Sequence, residues 1–193
     1  MASSRTVKSL SALFVAMTLG ALVLMALETE PIRPLAQASL AVVSPPPAGA
    51  ALAVYETTQP LDVGQWRHIV VHAAPASSDP LARQCHFQIR ADGHGGWQVA
   101  STAYWRRQRP GGHVGGYWER MSIGVCLIGD FSQRPPDGRQ FGRLVELVNT
   151  LQEVCDIAAD RVYLHRDLVA ASTSPGAAFP NAAFSARLIR TRR

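Results

Sequence analysis

Lysine is nearly missing from this sequence: Lys8 is the only one, and arginine supplies the rest of the 19 basic residues. Charge of either sign is scarce, at 17% of 193 residues, against the ~25% usual for globular chains. That scarcity excludes a charge-rich disordered protein. Cysteine occurs three times, too few and too odd a number for a disulfide-stapled scaffold. Fifteen glycines and 13 prolines are too few for a fibrous or low-complexity chain. The net charge of +5 does not describe a basic domain. Arg5 and Lys8 cancel Glu28 and Glu30, and Arg187, Arg190, Arg192 and Arg193 supply +4, which leaves 31–186 at +1. A nucleic-acid-binding fold needs Lys and Arg interleaved with aromatics across it, so no nucleic-acid partner is expected. The Arg-rich end reads as a solvated helix end or a contact to an anionic surface.

What is present is apolar: 47% of the chain is hydrophobic, and the length suits one folded domain. Residues 9–27 (SLSALFVAMTLGALVLMAL) carry no charge and are long enough to span a bilayer as a helix. Arg5 and Lys8 precede the run and Glu28 and Glu30 follow it, which orients the N-terminus to the cytoplasm. The alternative is a cleaved signal peptide, but Ala36-Gln37-Ala38 lies well past the run. The expected organisation is a signal anchor or transmembrane helix over 1–30, a Pro/Ala-rich linker over 31–60 and a folded domain over 61–193. That places the domain outside the cytoplasm, periplasmic or at the cell surface and anchored to the membrane, or else secreted.

Within the domain, Trp66–His72, Cys85–Ile89, Trp97–Ser101, Ser122–Ile128 and Arg161–Leu164 read as strands from their β-branched or alternating runs. Asp137 and Gln140 form an acidic capping box. Phe141, Leu144, Val145, Val148, Leu151 and Cys155 follow on one helical face. A last helix starts near Asn181 and carries Phe184 and Leu188 inward. Strands alternating with helices predict an α/β domain around a central mixed β-sheet flanked by helices.

Two histidines, His72 and His165, end predicted strands. Zinc takes His nitrogen together with sulfur or carboxylate, and a catalytic zinc keeps three protein ligands and an open position. Spacing alone does not make these two a site, and two satisfied polar residues are the ordinary reading.

Four blocks bring a resemblance. IVVHAAP at 69–75, CHFQIRADG at 85–93, GGHVGGYWERMSIGVCLIGDF at 111–131 and LHRDLVAASTSPGAAF at 164–179 occur in this order. Together they resemble the zinc-dependent N-acetylmuramoyl-L-alanine amidases, a family that includes the peptidoglycan recognition proteins. The resemblance implies a peptidoglycan or muropeptide ligand and a zinc cofactor. It matches His72 and His165 to the two histidine ligands. Ser174 stands where the family has a Cys or Asp ligand, and Ser172 where it has the oxyanion Lys. Cys85 takes the position of the catalytic Tyr, and Cys126 that of a Glu found in some members. His113 matches a histidine beside the substrate groove. Only 13 positions separate His72 from Cys85, too few for the helix that members place there. In non-catalytic recognition proteins the same Cys-to-Ser change goes with loss of hydrolysis and retained binding.

Three functional readings follow. One is a degenerate amidase that binds stem peptide or muropeptide without efficient cleavage. Another is an active zinc amidase whose third ligand is Cys85 or Cys126. The last is a scaffold-only module that binds a partner. For Cys85 and Cys126 the alternatives to a ligand role are a disulfide across neighbouring strands and, as the ordinary reading, two small buried hydrophobes. His86, next to Cys85, should face the other way and serve structure, and Cys155 should be core. Asp167 is either an acceptor behind His165 or a turn cap. Trp97, Trp105, Tyr117 and Trp118 are either sugar-stacking aromatics or core.

Overall fold

The computed structural model describes residues 55–190. The apolar run at 9–27 and most of the Pro/Ala-rich stretch lie outside the described residues. Among the described residues no helix is long and apolar enough to cross a membrane.

Five strands form one mixed sheet: β1 (His68–Ala74), β2 (Phe87–Ala91), β3 (Trp97–Ser101), β4 (Ser122–Ile128) and β5 (Val162–Leu164), in the order β3-β2-β4-β1-β5. β2, β4, β1 and β5 run parallel, and only the β2–β3 hairpin is antiparallel. Short helices α1 (Pro80–Arg83), α2 (Ala103–Arg106) and α3 (Gly116–Met121) lie between strands, and α5 (His165–Leu168) and α6 (Asn181–Ala186) follow β5. The long helix is α4 (Gly138–Cys155). The mixed sheet with flanking helices is the predicted class. The predicted strand from Trp66 begins two residues later, because β4 starts at Ser122 and His68 is its partner. Trp66 instead plugs the core and donates its indole N–H to Gln108 Oε1 at 2.7 Å. The predicted strand at Cys85 likewise begins at Phe87. Between β1 and β2 there is room for one helical turn, α1, capped by Asp79. The sequence reading did not anticipate α2 or α3.

Ile69 and Val71 of β1, Phe87 and Ile89 of β2, and Ile123, Val125 and Leu127 of β4 are buried in one cluster with Leu144, Leu147, Val148 and Leu151 of α4. Each such side chain contributes about 1.5–3 kcal/mol on burial. Asp137 caps α4 as predicted, accepting from the N–H groups of Arg139 and Gln140. Gln140 does not complete a capping box. Its amide is buried and donates to Ile128 O at 3.0 Å and Ile89 O at 3.4 Å. It thereby ties β2 and β4 to the first turn of α4. Gln152, near the far end of α4, holds the chain on either side, bonding Ile157 O and both backbone groups of Ile189.

Candidate functional site

Strand alternation gives the sheet two faces. The face turned away from the α4 cluster is rich in polar side chains. His72 of β1 and Cys126 of β4 stand opposite each other in the parallel ladder, and Gln88 of β2 is opposite Cys126 on its other side. Cys85 comes from the turn after α1, with its thiol 2.8 Å from Ala82 O and 3.0 Å from Phe87 O. One ligand atom each from His72, Cys85 and Cys126 lies within 4.8 Å of the other two, and all three residues are buried. Neither ring nitrogen of His72 has a hydrogen-bond partner. All three cysteines are free thiols, so the disulfide alternative is not realised. The Cys85 thiol, then burial, pushes the Cys126 thiol far above its ordinary range, while His72 works against that shift.

His113 lies beside His72, ring planes 12° apart and centroids 6.0 Å apart. Its Nε2 is 3.0 Å from Ser122 Oγ, and its Nδ1 is buried without a partner. Burial, with the nearby imidazoles of His86, His72 and His165, holds it well below the ordinary imidazole range. Residue 124 has to be glycine for this ring to fit: a Cβ there would meet His113 Cγ at 2.6 Å.

His165 is half-buried, its ring centroid 6.3 Å from that of His72. Its Nδ1 is 2.7 Å from Ser172 Oγ, which also accepts the Ser174 N–H at 3.1 Å. Burial lowers the His165 pKa, opposed by a hydrogen bond to the His113 backbone. Ser174 Oγ accepts the Ala73 N–H at 2.8 Å. Asp167 takes the turn role, accepting the Leu164 N–H at 2.8 Å. Ser172 and Ser174 line a cleft of about 540 Å³ at the carboxyl ends of β1 and β4, together with Ala73, Ala74, Asp130 and Phe131. Gly176 closes its floor at φ +124°, where a Cβ would lie 2.4 Å from Phe131 O. His72, His113, Cys85 and Cys126 are not in the cleft lining.

His86 is structural: Nδ1 accepts the Gly124 N–H at 2.9 Å, and Nε2 is 3.0 Å from Arg109 O. Burial pushes its pKa down to about 4. Cys155 is core, and its thiol is pushed up to about 11 by burial. Of the four aromatics, Trp105 is core, Trp97 donates to Asp137 Oδ1, and Trp118 packs on His68 and Tyr163. Tyr117 is exposed. Sequence reasoning missed His68, whose Nδ1 is buried without a partner, and Gln88. Period-two alternation back from His72 would have put His68 on the same face.

The family model for N-acetylmuramoyl-L-alanine amidase matches residues 62–177. The chain belongs to this family. No curated protein matches it in sequence. Among solved structures it is similar to the N-acetylmuramoyl-L-alanine amidase LysC from Clostridium intestinale URNW, at 21% identity and TM-score 0.54, over 71% of this chain and 95% of that one. It is also similar to AmpDh3 from Pseudomonas aeruginosa, at 20% identity and TM-score 0.55, over 71% and 65% of the two chains. A third is the amidase AmiD from E. coli, solved with anhydro-N-acetylmuramic acid-L-Ala-D-γ-Glu-L-Lys, at 16% identity and TM-score 0.54, over 69% and 62%. At these identities the likeness speaks for the fold.

Zinc is the family's metal, and the amidase domain offers it two donor sets. The set at the family's own positions is His72, His165 and Ser174. Ser174 is a neutral hydroxyl already accepting a backbone N–H, a poor zinc donor beside thiolate or carboxylate. The second set, His72 with Cys85 and Cys126, has soft donors and an imidazole without any other partner. Zinc fits the second set by donor chemistry.

Proposed function

We propose that this amidase-family domain binds peptidoglycan stem peptide, or a muropeptide carrying it, in the cleft at the ends of β1 and β4, and does not cut it efficiently. The observation that carries the reading is Ser174. At the third-ligand position stands a hydroxyl committed to the Ala73 N–H. Ser172, at the oxyanion Lys position, is committed to His165 and to the Ser174 N–H. No lysine follows Lys8, so none can take the oxyanion role. When bound at an amidase site, zinc polarises the scissile carbonyl and activates a water. The residues around this cleft are suited instead to holding a peptide through the Ser132 hydroxyl and the Asp130 carboxylate. We place the domain outside the cytoplasm, tethered by the apolar run at 9–27, since the basic residues precede that run and the acidic ones follow it.

The second reading is an active zinc amidase with its third ligand from Cys85 or Cys126. It is favoured by the convergence of those thiols on His72. Calorimetry of the full chain with a defined muropeptide, run beside a chromatographic assay for stem-peptide release, separates the readings. Saturable binding without release is expected. Release that a chelator abolishes establishes the active amidase. No binding leaves a scaffold.

A further inference from the structure

We infer that His72, Cys85 and Cys126 form a buried zinc site behind the cleft, tying β1 and β4 to the turn that leads into β2. The inference goes beyond the proposed binding function, and it takes His72 out of the family's own zinc set.

The fold itself brings the donors together. Parallel pairing of β1 with β4 sets His72 opposite Cys126. The His86 N–H bonds Gly124 O at 2.9 Å and draws the preceding Cys85 against the same strand. The ligand atoms then lie within 4.8 Å of one another. Tetrahedral zinc with Zn–S about 2.3 Å and Zn–N about 2.0 Å holds neighbouring ligand atoms roughly 3.5–3.8 Å apart. A contraction of about 1.3 Å or less therefore completes the triad.

His72 is the second, independent observation. It is 1% exposed, and both its ring nitrogens lack a partner. His86, equally buried on the same sheet, has both nitrogens bonded. A buried polar group left unpaired is costly, and coordination removes that cost.

Charge selects the donor set. Two thiolates, one neutral imidazole and one dication sum to zero, which suits a buried site, and a water would fill the fourth tetrahedral position. His72, His165 and Ser174 would leave the dication uncompensated. Binding breaks two S–H bonds and forms two Zn–S bonds, and both protons pass to the buffer.

The ligand residues lie beside the cleft and not in its wall. Ala73 and Ala74 line the cleft, whereas none of the three ligand residues does. Ala74, Ala82 and Ile128 pack around the two thiols, and Ala74 also lines the cleft. A metal here cross-links three segments.

Cobalt titration of the reduced, metal-free full chain tests the site through its spectrum. We expect about one cobalt per chain, with tetrahedral d–d bands and a near-ultraviolet thiolate-to-cobalt charge-transfer band that zinc displaces. C85S and C126S should each halve that band, while H165A and S174A should leave it intact. The wild-type spectrum decides even if a cysteine variant fails to fold. A folded wild type that binds cobalt without a charge-transfer band overturns the proposal, as does one that binds no cobalt. So does a Cys85–Cys126 disulfide recovered from protein isolated with zinc present and no reductant. Cobalt binding lost in H165A and retained in the double cysteine variant would return the metal to the family's positions. Since no readout depends on turnover or muropeptide affinity, failure of this site and failure of the proposed function are distinguishable.

Discussion

His113 rests its ring on the bare α-carbon of Gly124, where an added Cβ would come within 2.6 Å of the ring. The contact falls on Cγ, at the root of the side chain, so the ring cannot swing aside cheaply. Gly124→Ala should cost about 1–3 kcal/mol by overpacking. In a His113→Ala background the same substitution should cost less, because the obstruction is gone. Urea unfolding of the four proteins measures the coupling; purely additive effects would contradict the contact.

Gln140 provides a second test. Its amide serves the carbonyls of Ile128 and Ile89 from within the core. Gln140→Leu keeps the volume and abandons both acceptors, and should destabilise the domain by about 1–3 kcal/mol. An unchanged denaturation midpoint would show those carbonyls to be satisfied otherwise.

The Asp137 cap predicts a pH dependence. The N–H of Arg139, chiefly, holds this carboxyl below its ordinary range. A lowered folded pKa means that stabilisation is complete above the unfolded carboxylate value and is lost as pH falls through the folded one. Asp137→Ala should therefore lower the melting temperature at neutral pH. The difference from wild type should close in acid below about pH 4. Because Asp137 also accepts from Trp97, the tryptophan fluorescence should shift in the same variant.

Ser174 predicts a coupled loss. Ser174→Ala strands the Ala73 N–H at the cleft wall, at a cost of about 1 kcal/mol. If that wall holds the peptide, muropeptide affinity should fall about fivefold, the size of a 1 kcal/mol loss. Calorimetry showing unchanged affinity would move the peptide away from this wall.

Much of the fold was legible because burial imposes periods. Leu144, Val145, Val148 and Leu151 announced α4, and the β-branched run before His72 announced β1. The boundaries were less legible: Trp66 and Cys85 look like strand residues, yet each lies outside the ladder that its partner strand defines. Gln140 looked like a cap and is a core bridge, because nothing local marks which carbonyls lack partners. At the site, His72, His165 and Ser174 were visible through family resemblance. His68 and Gln88 were missed because a polar residue inside a parallel strand carries no signal until its face is known.

The sequence by itself determined the family, the α/β class, the face of α4 that is buried and the substitution of Ser174 at the third-ligand position. These depend on residue identity and on short-range period. Only the tertiary structure decided that Cys85 and Cys126 meet at His72, that Ser174 is spent on Ala73, and that the cysteines lie behind the cleft. Those relations join residues far apart in the chain. They arise from strand register and from one helical turn fitted between β1 and β2, and neither is written in any local stretch of sequence.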